Sequence, residues 1–145
     1  MVDAVKPGAR LFVDTGYFLA LALPRDAWNS AARKWAKRSK QHKYKLVTTH
    51  AVLMEVGAAL ARRPLRQLAQ SILQAAQWDA SLQVLACDAV LYEKALALFL
   101  AHPDKNWSMT DCASFVTMGE RGLTHALSAD HHFEQAGFVA LLKER

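Results

Sequence analysis

The sequence predicts an α/β fold, a three-layer α/β/α sandwich in which a central parallel sheet of four to five strands lies between helices. Three observations predict it. Short apolar runs alternate with longer stretches of helical periodicity. The turn signals Pro24, Pro64, Pro103, Gly119, Gly122 and Gly137 are brief and evenly scattered, with no repeat, linker or low-complexity tract between them. Strands that alternate with helices also need crossover connections, which are right-handed and leave a parallel sheet covered on both faces. The 145 residues, 52% of them hydrophobic, suffice for one good core. Residues 1–145 are therefore read as a single domain, with 1–9 a short leader.

The elements follow in order. Leu11 to Asp14 reads as a first buried strand, and Gly16 lets the chain turn into a short apolar helix, Tyr17 to Leu23, stopped by Pro24. Asp26 can N-cap a helix to about Gln41, with Trp28, Ala31, Ala32 and Trp35 along its apolar stripe. Lys45 to Thr48 is a second strand. Thr49 can cap a helix from His50 to about Arg62, pointing Val52, Val56, Ala59 and Leu60 inward. Pro64 suits the first turn of the next helix, where a missing N–H matters least, and Leu65, Leu68, Ile72, Leu73 and Ala76 recur along it at helical spacing. Leu82 to Cys87 is a third strand, and Asp88 caps a helix through about Ala101. Thr110 to Glu120 is another helix, His125 to Leu127 a fourth strand, and Phe138 to Leu141 a fifth at an edge. The order of the strands is not readable from the chain.

Composition narrows the function. No apolar run reaches the roughly 20 residues of a membrane span, and the first ten residues lack a signal peptide's apolar stretch, so a cytoplasmic protein is expected. Cys87 and Cys112 have no zinc-type spacing and read as reduced thiols. The net charge of +5 is uneven. Arg25 to Lys45 holds eight basic residues against one acid, so that stretch is strongly positive while the remainder is slightly negative. Such a stripe is either a solvated helix face or a surface for an anionic partner, nucleic acid first among them.

Four carboxylates stand at or near the ends of apolar runs: Asp14, Glu55, Asp111 and Asp130. The carboxyl ends of parallel strands share one rim, where such folds place their sites. Each acid also has a plain structural explanation. Asp111, three residues after Ser108, fits a capping box; Asp130 can cap the segment from His131; Asp14 can open a turn with Gly16; and Glu55 can be a surface residue. Those explanations fit less well together. Glu55 is framed by Val52-Leu53-Met54 and Val56, and Asp14 ends a buried strand, so both carboxylates need partners. A divalent cation serves both, and hard cations held by carboxylates suit phosphodiester chemistry. Thr15, Thr110 and Ser128 flank three of the acids and can orient them or cap helices.

These segments resemble one family. Leu11-Phe12-Val13-Asp14-Thr15-Gly16-Tyr17-Phe18 resembles the opening motif of PIN-domain nucleases, and Leu53-Met54-Glu55-Val56 their helix-borne glutamate. Met109-Thr110-Asp111-Cys112-Ala113-Ser114 resembles their third acidic motif, and Leu127 to Phe138, an Asp followed by Phe133 and then Gly137-Phe138, their closing segment. The resemblance spans about Arg10 to Leu142, in the family's order, and a compact single-domain chain of this size resembles the VapC-type toxins of toxin–antitoxin pairs. It implies a PIN-like sheet between helical layers, a Mg²⁺ or Mn²⁺ site at Asp14, Glu55, Asp111 and Asp130, and endoribonuclease activity. It also implies a cognate antitoxin and a homodimer. Many relatives carry a further acid near the last Asp; here His131 and His132 occupy that stretch, and the next acid is Glu134.

RNA contacts are expected from Arg33, Lys34, Lys37 and Arg38, from Arg62 and Arg63, and from Trp107 just before the third motif. His131 and His132 are adjacent, so the sequence predicts that they diverge and do not chelate one ion together. Two rival classes remain: a catalytically silent PIN-like module that binds RNA or a partner, and a receiver-like phosphoacceptor with Asp14 as acceptor. The second lacks a lysine near residues 125–130.

Overall fold

The computed structural model describes residues 5–144. Five strands form one fully parallel sheet: β1 (Arg10–Val13), β2 (Lys45–Thr49), β3 (Leu82–Leu85), β4 (His125–Leu127) and β5 (Val139–Ala140), in the spatial order β3-β2-β1-β4-β5. The helices are α1 (Thr15–Ala22), α2 (Asn29–His42), α3 (His50–Ala59), α4 (Arg66–Trp78), α5 (Ala89–Ala101), α6 (Met109–Glu120) and α7 (His131–Gln135). The α/β class and the parallel sheet are as the sequence predicts, with the fifth strand at an edge.

Alternation along the strands builds two cores. Phe12, Val47 and Ala126 face one side, where Leu91 and Ala95 of α5, Phe115 and Met118 of α6, and Phe133 of α7 meet them. Leu11, Val13 and Leu127 face the other, against Ala32 and Trp35 of α2, Tyr44 and Leu141. The period of two in β1 thus sends successive residues to opposite layers, the pattern of a doubly covered sheet. Trp35 fixes its layer further, donating its indole N–H to the Leu141 carbonyl at 3.1 Å.

Several boundaries differ from the sequence reading, each for a visible reason. Asp26 does not cap α2: its Oδ1 accepts the Trp28 N–H at 2.8 Å in a local turn, and the helix begins at Asn29. α3 stops at Ala59, and the Arg66 guanidinium donates to the Ala61 carbonyl beyond its end. Pro64 lies in the turn before α4 rather than in its first turn. β3 ends at Leu85 because its partner does: Thr49, the last residue of β2, pairs with Leu85. Leu65, Leu68 and Ile72 are half-buried against Val56, Leu60 and Ala69. Of the expected leader, residues 1–4 lie outside the described residues, whereas Val5 is buried and its carbonyl accepts the Tyr44 hydroxyl. No helix among the described residues is long and apolar enough to cross a membrane. Cys87 and Cys112 are free, and Cys112 is buried.

Candidate active site

The sheet order places a switch point between β1 and β4: the chain leaves β1 toward β2 and β3, then returns to the other side of β1 as β4. Crevices outside the carboxyl ends of strands at such points are where open α/β sheets bind ligands. Asp14 follows β1 directly, Ser128 follows β4, and Asp130 stands two residues further on. The Asp14 backbone N–H donates to the Leu127 carbonyl at 3.2 Å, which extends the β1–β4 ladder to the site.

Asp14 is buried at the N-cap position of α1, yet its side chain makes no capping bond. Its Oδ2 accepts the Ser128 hydroxyl at 2.8 Å. Burial pushes this carboxyl up to about 7; the Ser128 hydroxyl and the Thr15 backbone N–H hold it back, and the charges of Asp111 and Asp130 raise it further. Asp111 is also buried, on the first turn of α6. There it completes the capping box: its N–H donates to Ser108 Oγ, and its Oδ2 accepts the Ser108 N–H, both at 3.0 Å. Burial raises its pKa, opposed by the Ser108 N–H; Asp130 raises it too, and His132 lowers it. Asp130 caps α7 through the His132 N–H at 2.9 Å, while its own N–H donates to Ser128 Oγ at 3.0 Å. The Ser128 hydroxyl thus joins Asp14 to Asp130.

Three of the four predicted acids therefore converge from separate elements. Glu55 is half-buried on α3, which packs beside α1 and α6, and among the described residues no hydrogen bond or ion pair joins it to the other three. Of the predicted hydroxyls, Ser128 is in place. The Thr15 Oγ1 is buried beside Asp14 and has no hydrogen-bond partner among the described residues. Thr110 is half-buried, and among the described residues its hydroxyl bonds to none of the acids. A bare cluster of this kind is poorly satisfied: carboxylates desolvated and repelling, and an orphaned buried hydroxyl. A divalent cation with its water fits that donor set, because it stabilises the ionised carboxylates and gives the hydroxyl a partner.

Two expectations need correction. Trp107 is 8% exposed. Its indole N–H donates to Gln135 Oε1 at 3.1 Å, its ring meets Phe115 edge-on at 5.1 Å, and His102 lies 4.9 Å away. A ring so enclosed pins α7 and the core and has no free face for a base. The two histidines also do not diverge. Both follow the Asp130 cap, and their Nδ1 atoms converge on its Oδ1, at 3.5 Å from His131 and 3.3 Å from His132. His132 reaches further, placing Nδ1 3.1 Å from Asp111 Oδ2. The sequence reading set this residue aside as diverging from its neighbour; the signal against that was an imidazole two positions after a helix-capping acid. Glu134 is exposed and pairs with Lys143, which leaves it outside the cluster.

The expected basic surface is mostly open. Arg33, Lys34 and Lys37 on α2, with Arg62 and Arg63 before α4, are exposed; Arg38 is half-buried with its guanidinium 5.3 Å over the Trp35 ring.

The PIN domain family matches residues 11–139. The 23S rRNA-specific endonuclease VapC20 of Mycobacterium tuberculosis is 30% identical over 135 residues, spanning 92% of this chain and 99% of that protein. The crystal structure of Mycobacterium tuberculosis VapC20, described as a sarcin-ricin loop cleaving toxin, superposes with a TM-score of 0.80 at 29% identity, covering 90% of this chain and 97% of the other. FitAcB from Neisseria gonorrhoeae shares the fold, with a TM-score of 0.61 at 14% identity over 89% of this chain and 94% of the other.

Proposed function

The chain belongs to the PIN domain family, and from that premise we propose that it is a metal-dependent endoribonuclease and the toxin of a toxin–antitoxin pair. The observation that carries the reading is the convergence of Asp14, Asp111 and Asp130 at the β1–β4 switch point, with the Ser128 hydroxyl joining two of them. Residues 1–145 act as one nuclease domain. Glu55, on the neighbouring helix α3, completes the acid set.

Asp14, Asp111 and Asp130 would hold Mg²⁺ or Mn²⁺, with Glu55 joining through water. There they would let a bound cation supply a more acidic water and Lewis-acid polarisation of the phosphodiester. The chain's own groups do the rest. Ser128 fixes the rotamer of Asp14 by donating to Oδ2, and the Ser108 N–H fixes Asp111. The positive surface of α2 and the arginines before α4 hold the RNA backbone, which makes binding fall with salt.

The similarity to VapC20 suggests the sarcin–ricin loop of 23S rRNA as the first substrate to try. Asp14→Asn, with folding verified, should abolish Mg²⁺- or Mn²⁺-dependent cleavage of an RNA bearing that loop. Undiminished cleavage by this variant would sink the assignment, and binding in EDTA without cleavage in either cation would favour a silent RNA-binding module.

An antitoxin and a homodimer are the partners the reading implies, in the cytoplasm. Val90, Tyr92, Phe99 and Leu100 expose apolar side chains along α5 and are available for such contacts.

A further inference from the structure

The carboxylates of this site are not its only ligand atoms. His132 Nδ1 lies 3.1 Å from Asp111 Oδ2 and 3.3 Å from Asp130 Oδ1, and His131 Nδ1 lies 3.5 Å from the same Asp130 oxygen. Ligand atoms of Asp130, His131 and His132 all fall within 4.8 Å of one another. Nitrogen and oxygen ligands bound at roughly 2.0–2.2 Å stand about 3 Å apart as neighbours on an octahedron and about 3.3 Å apart on a tetrahedron. The observed separations are close to those edges.

The platform that carries the imidazoles is also fixed. Phe133 of α7 is fully buried between β1 and α6, with its ring 5.0 Å from Phe115 and 6.3 Å from Phe12. Gln135 on the same short helix accepts the Trp107 indole. His132 is itself mostly buried, with its side chain 17% exposed. These contacts hold α7 and the His132 imidazole in place before binding, whereas the His131 side chain is 66% exposed.

Mg²⁺ prefers an all-oxygen shell, whereas imidazole nitrogen suits Mn²⁺, Co²⁺ and Zn²⁺ increasingly well. We propose that His132, with His131 at its exposed flank, supplies imidazole nitrogen to a cation held by Asp111 and Asp130, so that this site selects a transition-metal ion over Mg²⁺. The inference rests on the nuclease reading for the place of the metal, and adds ligands and selectivity to it.

The test needs no RNA. The full chain, freed of metal and loaded with Mn²⁺, is examined by pulsed EPR for ¹⁴N modulation, and Mn²⁺ and Mg²⁺ affinities are measured by calorimetry. Nitrogen modulation is expected in the wild type and absent from the His131→Ala/His132→Ala double variant. Mn²⁺ affinity should fall at least about tenfold in that variant, with Mg²⁺ affinity changed far less. His132→Gln keeps a hydrogen-bond donor near Asp111 without a ring nitrogen, and should weaken Mn²⁺ in the same direction if the double variant folds poorly. Bound Mn²⁺ without nitrogen modulation, equal loss of both cations, or a wild type that retains no Mn²⁺ overturns the proposal. Mg²⁺-dependent RNA cleavage alongside absent nitrogen modulation overturns it while the nuclease reading stands. Nitrogen modulation without cleavage in any cation supports it and strikes the nuclease reading instead.

Discussion

Asp14 and Asp88 occupy the same kind of place: each follows a strand of the parallel sheet at the N-cap position of the next helix. They behave differently. Asp88 is exposed and accepts the Leu91 N–H at 2.9 Å, the ordinary work of a cap. Asp14 is buried, makes no side-chain capping bond to α1, and turns instead to the Ser128 hydroxyl across the β1–β4 junction. β3, which leads to Asp88, is an edge strand, while β1 is central and flanks the switch point. Sequence position alone makes the two acids equivalent; the location of their strands separates a structural carboxylate from one whose placement lowers stability unless a ligand compensates.

Removing each charge in turn separates the two acids. Asp14→Asn should reduce RNA cleavage by at least about 100-fold, whereas Asp88→Asn should leave the rate within about twofold of wild type. A comparable loss in both variants would end the distinction.

Stability gives the next effect, and with the opposite sign to activity. The Asp14 carboxyl sits at about 7 in the fold against an ordinary 3.8. Between those values the native state binds more protons than the unfolded chain, so this group's contribution declines as pH rises from about 4 through 7. At pH 8, ionised Asp14 costs the cation-free protein on the order of 4 kcal/mol. Cation-free Asp14→Asn should therefore be more stable than wild type at pH 8 and lose that advantage near pH 4, in urea melts at both pH values. Added Mn²⁺ should stabilise wild type more than the variant at pH 8 and so narrow or reverse the order, because the variant lacks one of the carboxylates that would hold the ion. An intermediate effect belongs to Ser128→Ala, which leaves Asp14 without its donor and should weaken Mn²⁺ binding about 10- to 100-fold, read by calorimetry.

Much of this was legible in the chain. Short apolar runs and helical periodicity gave the five strands, and the Thr49, Asp88 and Asp130 caps were foreseen from residue type and position. The capping box of Ser108 and Asp111 was legible too, and it coexists with a role in the acid cluster because one residue can fill both. Strand order was not legible, since it depends on how crossovers pack rather than on any local pattern. That order brings residue 14 beside residue 128. Trp107 was misread because its polar neighbours Lys105 and Asn106 hide a ring that points inward to Phe115. His131 and His132 were misread because the rule that adjacent helical side chains diverge fails in the first turn after a cap, where the side chains can fold back toward the capping acid.

The smallest effect closes the comparison from the other side. Asp88→Ala removes one capping bond, the one that Asp88 accepts from the Leu91 N–H. The loss should be about 1 kcal/mol, seen as a shifted urea midpoint at unchanged slope. Its insensitivity to added Mn²⁺ matters more than its size. Asp88 stands beyond β3, two strands from β1 and so roughly 9–10 Å away across the sheet, too far to share an ion held at the switch point. If Mn²⁺ rescued Asp88→Ala no more and no less than it stabilises wild type, the two caps would differ as their strands do. A Mn²⁺ response specific to Asp88→Ala would instead place this acid in the cation's reach and erase the contrast with Asp14.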